Sequence, residues 1–143
     1  MSDTIWTTPS AHNAAHDVRR AILAQHASLR ELLQKARGVA EDALDGKQRA
    51  SDAVASAVGD IRTAFEVHLA FEERVMPTVL RPGTPEADMW VERARVDHRT
   101  QRQVLATLHG EAKVAPELPI LAAKLAFLTI WLLRDMEEEE RLV

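Results

Sequence analysis

Apolar residues recur along four stretches of the chain in alternating steps of four and three, the spacing that keeps one face of a helix turned toward a partner helix. One stretch reads Val54, Val58, Ile61, Phe65, His68, Glu72, Val75 and Val79; the last reads Leu118, Leu121, Leu125, Leu128, Leu132, Asp135, Glu139 and Leu142. Between them Val91, Ala94, His98, Gln101, Leu105 and Leu108 form a third stripe, and Ile22, His26, Leu29 and Leu33 form the first. Polar residues interrupt every stripe, and three of the four interruptions include a histidine.

Breakers set the limits of these elements. Residues 1–8, with Ile5 and Trp6, read as a short N-terminal arm, and Thr8-Pro9 reads as a cap with proline at the first helical position. The first helix is expected over about residues 9–37, where Gly38 offers a stop, with a loop around Asp45-Gly46. The second is expected over about 47–80, before a turn at Arg81-Pro82-Gly83. Thr84-Pro85-Glu86 repeats the start signal for a third helix that reaches about His109 or Ala112; Pro116 and Pro119 bracket the entry to the fourth. Connections this short make sequence neighbours antiparallel. The expected fold is all-α, an up-down-up-down four-helix bundle, with residues 1–143 as a single domain.

Composition supports helix over sheet: among 143 residues there are 5 glycines, 6 prolines and no tyrosine. The absence of cysteine excludes disulfides, thiolate catalysis and cysteine-held iron–sulfur clusters, leaving His, Asp and Glu as metal ligands. A net charge of -4 with interspersed signs offers no basic stripe for nucleic acid. The longest apolar stretch, residues 118–133, is shorter than a membrane span and is interrupted by Lys124. No basic segment followed by an apolar one opens the chain, so a cytoplasmic location is expected.

The polar interruptions carry the chemistry. His68 with Glu72 and Asp135 with Glu139 each stand four residues apart, on one face of a helix and within reach of one point beside it. A buried carboxylate is costly unless paired or bound to a cation, and no lysine or arginine occupies the seams to neutralise these acids. With His26 and His98, six ligand-type residues fall on four seams; His26, His68 and His98 agree in level to within a turn or two, while the fourth helix ends sooner, so that its pair lies nearer the bundle mouth or the other ends fray. Imidazole and carboxylate together suit iron, with manganese an alternative, and the reading is a buried two-metal site. His12, His16 and His109 are set aside as surface or supporting residues, and Glu137 to Glu140 as a solvated face in which only Glu139 lies on the seam. Trp90 and Trp131 read as core or rim packing, and Trp6 as an anchor for the arm.

The order His26, His68 with Glu72, His98 and then Glu139 resembles the hemerythrin family, specifically its HHE cation-binding domain, over nearly the whole chain. Glu73 after Glu72 and Pro77 after Met76 resemble the family's surroundings as well. The resemblance implies a non-haem di-iron centre, two ferrous or ferric ions with an oxo or hydroxo bridge. Glu72 and Glu139 would bridge, His26, His68 and His98 would be terminal ligands, and Asp135 would be the odd ligand. It further implies a protein that binds or senses dioxygen, peroxide or nitric oxide rather than an established enzyme. A ferroxidase, a peroxide-decomposing enzyme or an iron store is the alternative, and a metal-poor interaction bundle is a third reading.

Two departures stand out. Asp135 occupies the place of the family's fourth-helix histidine, and Gln101, Arg102 and Gln103 do not reproduce the further third-helix ligands of the oxygen carriers. Carboxylate in place of imidazole adds negative charge at the metal, which favours the ferric state and works against reversible oxygen binding. Oligomeric state is open: Ile5, Trp6, Met89 and Trp90 either cover the bundle or serve an interface with a second copy or another protein.

Overall fold

The computed structural model describes residues 9–46, 50–80, 83–114 and 118–142, with the side chains of 9–14, 50–51, 78–79, 118 and 142 left aside. The arm with Ile5 and Trp6, and the side chain of His12, lie outside this set. Four helices account for the described residues: α1 (Pro9–Leu44), α2 (Ala50–Val79), α3 (Pro85–Lys113) and α4 (Leu118–Leu142). They form the expected up-down-up-down bundle. None of them is long and apolar enough to cross a membrane.

Local signals explain most of the boundaries. Thr84 caps α3 from an extended backbone, its Oγ1 accepting from Ala87 N at 3.3 Å, and Pro85 supplies the preset first helical φ. Gly46 and Gly83 adopt positive φ values of 77° and 80°, where a Cβ would be strained, and each closes a helix-to-helix connection. Gly38 does not stop α1, which continues to Leu44. Ala36, Ala40 and Ala43 extend its buried stripe against the Val54 and Val58 end of α2, and this burial outweighs the roughly 1 kcal/mol that a mid-helix glycine costs.

The helices do not pack equally. α1 packs extensively on α2 and α4, and α2 on α3, whereas α3 meets α4 more sparingly. Two apolar clusters fill the interior. The larger contains Leu29, Leu33, Ile61, Phe65, Leu105, Leu125 and Leu132; the smaller contains Ile22, Met76, Leu80 and Ala87. His26 lies between Ile22 and Leu29, and His68 and Glu72 lie between Phe65 and Met76, so a polar layer separates the two clusters.

The seams follow the counted positions until they reach that layer and then drift. Beyond Glu72, α2 buries Met76 and Leu80 while Val75 is only partly covered. In α4, Met136 is buried and Asp135 sits on the flank; in α3, Val91 is exposed at 42%. A straight helix advances 3.6 residues per turn, so a strict 3.5-residue stripe slips sideways by about 20° per heptad.

Candidate metal centre

Four side chains from three helices converge in the polar layer. His26 of α1, His68 and Glu72 of α2 and Glu139 of α4 each offer one donor atom, and these atoms lie within 4.8 Å of one another. Donors bound to a common cation at about 2.0–2.2 Å stand up to about 4.4 Å apart, so the spread approaches that of a coordination sphere. His26 Nε2 is 3.2 Å from His68 Nε2 and 3.0 Å from Glu139 Oε1, and His68 Nε2 is 2.5 Å from Glu72 Oε1. Both Glu72 oxygens and Glu139 Oε1 are buried without a hydrogen-bond partner of acceptable geometry. Buried polar atoms left this way are rare and costly unless something else binds them.

Partners on the outer ring nitrogens fix how these histidines face. His26 Nδ1–H donates to Glu140 Oε2 at 2.9 Å, His68 Nδ1–H to Gln25 Oε1 at 2.7 Å, and His98 Nδ1–H to Glu73 Oε2 at 3.1 Å. Those acceptors are carboxylate or amide oxygens, so each Nδ1 carries the hydrogen and each Nε2 is the nitrogen left for a metal. The fourth helix has the same support, with Gln101 Nε2 donating to Asp135 Oδ2 at 2.8 Å. The support runs once round the bundle: α4 holds the α1 group, α1 the α2 group, α2 the α3 group and α3 the α4 group. Arg30 clamps Glu140, and Arg102 clamps Glu73 through both oxygens at 2.8 and 2.6 Å.

The electrostatics suit a cation. Burial pushes Glu139 up to about 7, with the facing Glu72 adding to the effect. Burial likewise raises Glu72 and Asp135. Burial and then the neighbouring His26 lower His68 to about 4, while His26 itself is raised because Glu139 and Glu140 outweigh its burial. Arg102 holds Glu73 down at about 2, and it remains an anionic acceptor at neutral pH. Without a cation, the inner contacts must therefore be bridged by protons on His26 and the carboxylic acids. A divalent cation would replace them with one stronger centre of charge.

All six sequence-derived candidates line one cavity of about 40 Å³. His26, His68, Glu72 and Glu139 form its tight inner group, whereas His98 and Asp135 line it without joining that group. Trp90, Arg93, Asp97 and Glu138 line it on the α3–α4 side, where Arg93 Nη2 lies 3.1 Å from Glu138 Oε2. His16 is exposed, and His109 packs over Gly59 with its Nδ1 beside Arg62 at 3.1 Å, both outside the centre. Trp90 and Trp131 are partly buried against the two apolar clusters, as expected of packing residues.

Sequence reasoning assigned no supporting role to Gln25, Glu73, Gln101 or Glu140. Their signal was adjacency: Gln25 precedes His26, Glu73 follows Glu72, Glu140 follows Glu139, and Gln101 lies one turn beyond His98. A residue next to an inward-facing one on a helix points roughly 100° away, toward the neighbouring helix.

The model of a protein family described as the hemerythrin HHE cation binding domain matches residues 17–143. No curated protein and no solved structure matches the chain.

Proposed function

The chain belongs to the hemerythrin HHE cation-binding family, and on that premise we propose that it is a non-haem di-iron protein that binds or senses dioxygen, peroxide or nitric oxide. One observation carries the metal reading: three orphaned carboxylate oxygens share a buried layer with two imidazoles whose outer nitrogens are already committed. His26, His68 and His98 would be terminal ligands, Glu72 and Glu139 would bridge, and Asp135 would complete the set. Iron would supply the redox chemistry toward a small oxidant. Manganese is the alternative metal.

The protein's own groups account for the rest. Gln25, Glu73 and Glu140 hold the rings so that their Nε2 atoms face inward. Phe65, Leu69 and Met136 line the cavity as its apolar wall. A cavity of about 40 Å³ has room for a diatomic or peroxide, since one water occupies about 10–15 Å³ of such space. Asp135, a carboxylate in the fourth-helix histidine's place, favours the ferric state and makes the centre a better sensor or one-way reactant than a carrier. The cytoplasm is its expected location.

A ferroxidase reading draws on one further feature. Asp97 and Glu138 line the cavity beside Arg93, and acidic groups there would favour entry of a cation. Loading the metal-free protein with ferrous iron without air, then cycling oxygen in and out, separates the readings. About two irons per chain with charge-transfer bands supports the di-iron centre; reversal on deoxygenation supports binding, and turnover of added ferrous iron supports oxidation. Iron that never exceeds trace levels would overturn the proposal.

A further inference from the structure

We propose that the centre consists of two unequal cation positions that fill in sequence, a closed one at His26, His68, Glu72 and Glu139 and an open one at His98 and Asp135. This rests on the metal-binding reading above and adds an order of loading to it.

The inequality is visible in the donors. The closed position has two nitrogens and two carboxylates already converged within 4.8 Å, and three of its oxygens have no hydrogen-bond partner of acceptable geometry. The open position has one nitrogen, His98 Nε2, and one carboxylate, and Asp135 Oδ2 is already held by the Gln101 amide. The drift of the α4 seam explains the difference, because it buries Met136 and leaves Asp135 on the flank. A first cation therefore meets a nearly assembled site with two carboxylates to offer in exchange for their protons. A second meets carboxylates whose charge is already partly neutralised, and it must reorganise Asp135. Fewer protein donors also leave the second cation more coordination positions for a small ligand. Those positions open toward the sparingly packed α3–α4 side.

The test is a titration of metal-free protein with cobalt(II) under nitrogen, followed by calorimetry and by the visible bands of the bound ion, with circular dichroism as the folding control. Two resolved steps are expected, with dissociation constants at least tenfold apart. Asp135→Ala and His98→Ala should each abolish the weaker step and leave the stronger within about threefold; His68→Ala should weaken the stronger step by at least tenfold. A single step that takes up two ions, or equal weakening of both steps by Asp135→Ala, would overturn the order of filling while leaving metal binding intact. No uptake at millimolar cobalt(II) by a folded protein would overturn the metal reading itself, and this inference with it.

Discussion

His26 and His68 meet edge to edge, Nε2 to Nε2 at 3.2 Å, with their ring planes 61° apart. Two lone pairs at that distance repel, so a proton or a metal cation must lie between the imidazoles. The opposite shifts of the two rings describe the proton's choice: His26 is raised and keeps it, and His68, lowered to about 4, accepts. Metal uptake must displace that proton along with those on the carboxylic acids.

Uptake should therefore release protons and strengthen with pH. Glu139, raised to about 7, holds close to half a proton at neutral pH in the metal-free protein, and His26, also raised, holds more of one than a free imidazole does. Calorimetry in two buffers of different ionisation enthalpy should find one to two protons released near pH 7. Affinity should rise several-fold per pH unit between pH 6 and 8. Uptake independent of pH would show that these groups are not displaced.

Stability of the metal-free protein should move the other way. A group whose folded pKa is raised binds extra protons in the folded state, so its contribution is present at low pH and lost as pH rises through the folded pKa. Between pH 6.5 and 8 His68 is neutral when folded and gives up part of a proton when unfolded, a smaller opposing effect, so Glu139 and His26 set the sign. Denaturant unfolding of metal-free protein should lose about 1 kcal/mol over that interval, and the metal-loaded protein should lose little or none.

Glu72→Gln should expose the cost of keeping the site. The Glu72 side chain is fully buried, and neither of its oxygens has a hydrogen-bond partner of acceptable geometry. A neutral amide needs no proton to stay buried, so above neutral pH the metal-free variant should be more stable than wild type by about 1–3 kcal/mol, while metal uptake weakens severely. Thermal melts with and without metal would read both effects. A metal-free variant less stable than wild type would show that the carboxyl is satisfied in a way the orphaned oxygens do not indicate.

Glu140→Ala removes the acceptor of His26 Nδ1–H and the partner of Arg30, without touching an inner donor atom. Competition with a chelator should show about a 10- to 100-fold loss of metal affinity, the usual effect of losing an orienting partner. Retained helicity by circular dichroism and unchanged affinity would make the contact incidental.

Asp135→His restores imidazole at the fourth-helix position. Gln101, which donates its amide to Asp135, can turn that amide and accept from a histidine instead. The iron-loaded variant should shift its spectrum and autoxidation rate toward those of the family's oxygen carriers. No change in either would remove Asp135 from the ligand set.

The fold was legible because stripe and breaker agreed along most of the chain. The caps at Thr84 and the turn glycines were written in residue types whose conformational preference is strong, whereas Gly38 carried a weak preference that tertiary burial overrode. At the site, His26, His68, Glu72 and Glu139 fell on counted seams and came together. Asp135 fell on a counted seam and settled on its flank, because the count assumed supercoiled helices and a fraction of a turn accumulates along straighter ones. The supporting ring was invisible to a search for inward-facing residues, since Gln25, Glu73 and Glu140 are defined by pointing sideways.

His26 and its partner Glu140 stand 114 positions apart in the sequence, and the support passes through every helix before it closes on them. During synthesis, then, the emerging chain displays histidines and acids for most of its length without a competent coordination pocket. Affinity arrives only when the last helix docks on the first. A metal held by these donors would be taken up by finished molecules and not by nascent ones, so chain topology would order its insertion after folding.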